Sequence, residues 1–299
     1  MASPGEILRP ELVQAIARLD LRARFIVEGF LAGLHHAPGR GFSVEFSDYR
    51  DYVFGDDPVD IDWKLYARTD KFYVKRFQAE TNLRCLLVVD TSRSMDYASS
   101  RDLPTKFEYA VSLAASLGLL LIRQGDRVGL GVVDEKLRRF IPPKSKRSHL
   151  RTVLTELLRL EPAHRTDLAA SLRDLARNCG KRGLVVVFSD LLDDPQGVVD
   201  ELKRLRFRGH DVIVFHILDP VERSLRLDGA NLFEDPETGL TVAADPVRLR
   251  PAYRRRIDGL ISTYRRACGP EQIDYLLADT STPFDRCLLR FLAFRARKR

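Results

Sequence analysis

Asp90-Thr91-Ser92-Arg93-Ser94 is the stretch of this chain best equipped for chemistry. It directly follows Leu83 to Val89, a nearly unbroken apolar run of the kind a strand buried on both faces requires. A second carboxylate, Asp190, follows a similar run, Leu184 to Ser189. With a strand order of 3-2-1-4-5-6 these two strands are neighbours. Their carboxyl ends then meet at the switch point where open α/β sheets bind ligands. Carboxylate and hydroxyl oxygens are hard donors, so the set suits Mg²⁺ or Mn²⁺ better than zinc. The same residue types also cap helices, and in that alternative Ser92 and Ser94 cap one helix and Asp190 another.

The elements around these residues alternate in type. Helical stripes run from Lys106 to Arg123, Ser148 to Leu160, Thr166 (as N-cap) to Asn178, Pro195 to Phe207 and Val247 to Ala267. Between them lie apolar runs at Arg127 to Val133, Leu137 to Ile141, Asp211 to Ile217 and Ile273 to Leu277. Pro142-Pro143 closes the Leu137 run and puts it at a sheet edge. A final helix starts at Phe284. Strands joined by helix-length crossovers predict an α/β fold, a doubly wound, mostly parallel, Rossmann-type sheet. This domain is assigned to residues 83–299, with a small β insertion at about 222–246. Residues 1–82 form an N-terminal extension: a helix from Arg9 to Leu34, then strands around Val44-Glu45-Phe46 and Phe72 to Phe77.

Asp90, Ser92 and Ser94 resemble the Asp-x-Ser-x-Ser element of the metal-ion-dependent adhesion site in von Willebrand factor type A domains. Thr166 matches that family's loop threonine and Asp190 its later aspartate, although Leu191 stands where many members have Gly. The resemblance spans roughly Leu83 to Leu277. It implies that the Ser and Thr hydroxyls hold the metal directly, that the carboxylates act largely through water, and that a partner's Asp or Glu fills an open position. Such a site binds; it does not catalyse.

Upstream, Glu45 to Arg50, Tyr52, Gly55-Asp56-Asp57, Ile61-Asp62-Trp63, Ala67-Arg68 and Val74 to Phe77 resemble the N-terminal signature of the bacterial domain-of-unknown-function family 58. That signature runs into Val89 to Met95. The resemblance implies a non-enzymatic adaptor or chaperone-like cofactor of a MoxR-type AAA+ ATPase, gripping the ATPase or its client through an acidic residue. Within Gly55 to Trp63 the three aromatics nearby suggest packing, with Phe54 and Trp63 in the core.

The rival function is a Mg²⁺-dependent phosphohydrolase or nuclease. An acyl-phosphate phosphatase needs a second Asp where Ser92 stands, and a two-metal nuclease needs more direct carboxylates. None of His149, His164, His210 and His216 is placed as a base. The net charge of +7 is concentrated after Pro246, with 13 Lys or Arg against 5 Asp or Glu. The aromatics there show no interleaving of an RNA-binding kind, so solvated helix faces are expected and nucleic-acid binding is not. Cys85, Cys179, Cys268 and Cys287 form no CxxC pair, which suits buried thiols in a reducing compartment. No signal peptide or membrane span is evident, so a cytoplasmic protein is expected.

Overall fold

The computed structural model describes residues 45–53, 61–78, 83–180, 182–284, 286–288 and 290. The expected helix from Arg9 to Leu34, Phe54 and most of the Gly55 to Trp63 segment lie outside them.

The six central strands are β3 (Arg84–Asp90), β4 (Arg127–Val133), β5 (Leu137–Lys144), β6 (Leu184–Ser189), β7 (Asp211–Leu218) and β10 (Asp274–Asp279). Their spatial order is β10-β7-β6-β3-β4-β5, which is the 3-2-1-4-5-6 arrangement supposed above. All neighbours pair in parallel except β4 and β5. The antiparallel β5 takes the edge, and its strand continues through Pro142 and Pro143 to Lys144 rather than stopping before them. A register irregularity between Val128 and Leu130 accompanies the prolines, which supply no N–H to the ladder. Gly129 sits at this irregularity; a Cβ there would lie 2.5 Å from the Ile141 carbonyl oxygen.

Side-chain alternation divides the core. Cys85, Leu87 and Val89 face one way, toward α2 (Lys106–Arg123) and α3 (Arg147–Arg159). Leu86 and Val88 face the other, toward α4 (Leu168–Asn178), α5 (Pro195–Phe207) and Tyr264 of α7 (Pro246–Cys268). Every residue of β6 is buried, as a central strand covered on both faces demands. Helix α2 is buried along nearly its whole length. It starts on a capping box in which Thr105 Oγ1 accepts the Glu108 N–H and Glu108 accepts the Thr105 N–H.

A short helix, α6 (Pro220–Ser224), leads into a two-stranded hairpin of β8 (Asn231–Glu234) and β9 (Thr241–Ala244). Ahead of the main sheet, β1 (Glu45–Asp51) and β2 (Tyr73–Gln78) pair antiparallel around α1 (Trp63–Thr69). The Asp62 carboxylate accepts the Leu65 N–H at the start of α1. Trp63, expected in the core, is instead 57% exposed. It meets Tyr66 and Phe72 edge-on in a surface cluster, where aromatic contacts need no full burial. Among the described residues, no helix is long and apolar enough to cross a membrane.

Candidate functional site

Because β3 and β6 are parallel neighbours, with Val89 beside Phe188, Asp90 and Asp190 leave the sheet together at its carboxyl edge. Both are buried. Asp90 Oδ1 accepts the Ser92 N–H (2.9 Å) and Asp90 Oδ2 accepts the Ser189 hydroxyl (2.6 Å). Burial, and then the like charge of Asp190, push the Asp90 carboxyl up to about 7; the Ser189 and Ser92 hydrogen bonds oppose this without cancelling it. A carboxylate in that state gains from any cation brought near it.

Asp190 is treated differently. Burial raises it, but the Lys106 ammonium more than offsets that and holds its carboxyl below the ordinary range. Lys106 Nζ lies 2.7 Å from Asp190 Oδ2 and 2.6 Å from Glu222 Oε1. The lysine side chain has no solvent exposure. Burial alone would discharge it; the two carboxylates raise it and keep it charged. Glu222 is itself raised by burial, which outweighs the attraction of Lys106.

The hydroxyls close the arrangement. Ser92 Oγ and Ser94 Oγ are 3.1 Å apart, and Ser94 hydrogen-bonds Asp190. Ser92 makes no side-chain cap to the 3-10 turn that follows it. Helix α2 is capped by Thr105 and α5 by Asp194. The capping alternative for Ser92, Ser94 and Asp190 therefore does not hold: these side chains bond to one another instead.

Thr166 is not an N-cap either. Asp167 takes that role, its Oδ1 accepting the Ala170 N–H (2.8 Å), so α4 begins one residue later than the sequence pattern indicates. The Thr166 loop lies against the Asp90–Ser94 segment: Arg93 donates to the His164 carbonyl (2.8 Å) and Ala163 to the Thr91 carbonyl (3.2 Å). Among the described residues, the buried Thr166 Oγ1 has no hydrogen-bond partner. Its N–H donates to Glu237 Oε2 (3.2 Å). Burial raises the Glu237 carboxyl, and the charge of Asp190 adds to this.

Four of the five residues singled out from sequence thus share one hydrogen-bonded cluster, and Thr166 sits on the adjoining loop. Leu191 has φ of +53° with its side chain buried. The turn after Asp190 needs the left-handed conformation that glycine adopts without strain, which explains why Gly is common there in the resembled motif. Sequence reading missed Lys106, Ser189, Glu222 and Glu237. For Lys106 a signal existed: a cation at the first position of a helix opposes the helix dipole and asks for a specific anionic partner.

Among the described residues, no group of three or more His, Cys, Asp or Glu side chains is placed to hold a metal ion. His216 is not free to act as a base: its Nδ1 is 2.6 Å from the Tyr275 hydroxyl, and burial pushes its ring down to about 4. His149 Nε2 is engaged with the Val128 carbonyl.

A family model described as "Protein of unknown function DUF58" matches residues 48–259. Uncharacterised proteins of Mycobacterium bovis and Mycobacterium tuberculosis are 30% identical over 302 residues, covering 98% of this chain and 92% of theirs. Among solved structures, a conserved hypothetical protein BatB from Bacteroides thetaiotaomicron is similar, at 17% identity and a TM-score of 0.49, over 73% of this chain and 100% of that one. The SpRpn10 VWA domain is similar at 11% identity and a TM-score of 0.42, over 69% and 94% respectively.

Proposed function

The chain belongs to the DUF58 family, and on that premise we propose that it is a non-enzymatic, metal-dependent protein-interaction module. In this reading it serves as an adaptor or chaperone-like cofactor of a MoxR-type AAA+ ATPase and works in the cytoplasm. The observation that carries the reading is a buried aspartate pair laced with serine hydroxyls, beside a Thr166 hydroxyl that has no partner. Buried polar atoms are normally satisfied, so an orphaned hydroxyl next to raised carboxylate density is a place for a cation.

Asp90, Ser92, Ser94, Thr166 and Asp190 would hold Mg²⁺ or Mn²⁺. When bound, the ion supplies an electrophilic position for a carboxylate from a partner protein. Lys106 already neutralises much of Asp190's charge. The donor set therefore leaves a divalent ion with positive charge to offer an incoming Asp or Glu. Hydrolysis is the weaker reading, because Ser92 occupies the position of a second carboxylate and His216 is withdrawn into its contact with Tyr275.

The test is a pull-down of the MoxR-type ATPase encoded in the same genome, with Mg²⁺ and with EDTA, using the wild-type chain, Asp90→Ala and Ser92→Ala. Capture that needs Mg²⁺ and is lost in both variants is expected. Undiminished capture in EDTA and by both variants would sink the proposal.

A further inference from the structure

The β8–β9 hairpin reaches this site by one side chain. Its tip is a tight turn in which Asp235 Oδ1 accepts the Glu237 N–H (2.9 Å) and Asp235 Oδ2 accepts the Thr238 hydroxyl (2.5 Å). The Gly239 N–H returns to the Asp235 carbonyl (2.8 Å), and Gly239 takes φ of +72°. Around this tip Asp235, Pro236, Thr238 and Gly239 are exposed, whereas Glu237 is half-buried. Its Oε2 receives the Thr166 N–H (3.2 Å), and its carbonyl receives Arg165 Nε (3.4 Å). The Thr166 hydroxyl beside it is the orphaned one.

From this placement we infer that Glu237 is an internal acidic occupant of the site's open side, and that the β8–β9 hairpin is a latch which an acidic residue of a partner must displace. The inference rests on the metal-and-partner reading above and adds its regulation. A carboxylate on the Thr166 loop is the same functional group that the partner would bring, so the two compete for one place.

The hairpin is also built to open. Leu232, Leu240 and Val242 are 71%, 69% and 62% exposed, so little apolar burial ties the hairpin down. Elements of this kind lie at the low-stability end of a fold. Among the described residues, two hydrogen bonds connect it to the Thr166 loop, each with one charged partner. Displacing Glu237 would release the hairpin tip from the Thr166 loop, coupling occupancy of the site to the hairpin's mobility.

Amide hydrogen exchange on the full chain tests this, comparing wild type with Glu237→Gln and Glu237→Ala in metal-free buffer and in Mn²⁺. Loss of one charge-assisted bond is expected to speed exchange of amides 231–244 and of Thr166 by roughly tenfold or more. Amides of β3 and β6 should be unaffected, which reports that the variants are folded. Bound Mn²⁺, counted by electron paramagnetic resonance, should show higher water-proton relaxivity per ion in Glu237→Ala than in wild type, because the ion's open side is uncovered. Equal exchange in all three proteins, or equal relaxivity with Mn²⁺ bound, overturns the inference. Absence of bound Mn²⁺ from every protein overturns the metal reading itself, and the inference falls with it; that outcome is distinguishable because it is read from ion binding alone.

Discussion

Replacing Lys106 with Met removes a cation in contact with Asp190 while keeping an apolar stem of similar length in the core. Lys106 Nζ sits 2.7 Å from Asp190 and 2.6 Å from Glu222, and the Lys106 and Asp190 side chains are wholly buried. Deleting one partner of a buried pair strands the other's charge, a loss of about 3–5 kcal/mol. Most of that comes from Asp190, because Glu222 is 21% exposed and partly screened by water. Asp190 also sits beside Asp90, whose proximity adds to the cost of leaving Asp190 ionised in the variant. The penalty should shrink in acid, where Asp190 protonates instead. The assay is urea unfolding followed by far-ultraviolet circular dichroism, in EDTA and in Mg²⁺. In EDTA at neutral pH the variant should be about 3–5 kcal/mol less stable than wild type. Under the metal reading, Mg²⁺ at a hundredfold excess over its Kd returns about 2.7 kcal/mol. A variant within about 1 kcal/mol of wild type in EDTA would refute the argument, since it would mean that Asp190 does not depend on Lys106 for its charge balance.

Three further outcomes follow from particular contacts. Asp90 rises from 3.8 to about 7 in the fold, so the folded protein keeps a proton the unfolded chain has released, and this contribution is present in acid and lost as pH climbs from about 4 to about 7. His216, pushed down to about 4 by burial, slopes the opposite way over much of that window but is common to wild type and Asp90→Asn; the difference between their pH–stability curves should therefore fall with rising pH, and parallel curves would contradict the assignment. Gly129→Ala puts a Cβ 2.5 Å from the Ile141 carbonyl oxygen and 2.8 Å from Pro143 N, backbone atoms that cannot swing aside; thermal unfolding should show a loss of about 1–3 kcal/mol. Thr105→Ala breaks the capping box of α2 and should cost about 1 kcal/mol in urea unfolding, with an unchanged midpoint counting against the cap.

Much of the architecture was readable from sequence because its signals are local. The runs at Leu83, Arg127, Leu184 and Asp211 are too continuously apolar for anything but covered strands, and crossovers of helical length compel parallel neighbours. Those two facts bring Asp90 and Asp190 to one sheet edge only with the supposed 3-2-1-4-5-6 order, which the fold adopts. Where propensity competes with capping geometry, the sequence misleads by a residue or more. Thr166 and Asp167 are both good caps, and in the fold it is Asp167 whose carboxylate accepts the Ala170 N–H. Trp63 reads as core by type, yet it stands at the surface against Tyr66 and Phe72.

What the tertiary structure alone decided is the charge balance at the site. Lys106 and Asp190 are 84 residues apart, and Thr166 and Glu237 are 71 apart. No periodicity links such pairs, because they belong to different elements whose approach is set by how α2 and the β8–β9 hairpin lie over the carboxyl edge of the sheet. The sequence by itself marked Asp90, Ser92, Ser94 and Asp190 as oxygen donors near that edge, and not Ser189, Glu222 or Glu237. Only the folded chain determined that one aspartate is paired with a buried lysine, that the carboxyl of the other is raised by burial, and that Glu237 of the same chain accepts the Thr166 N–H.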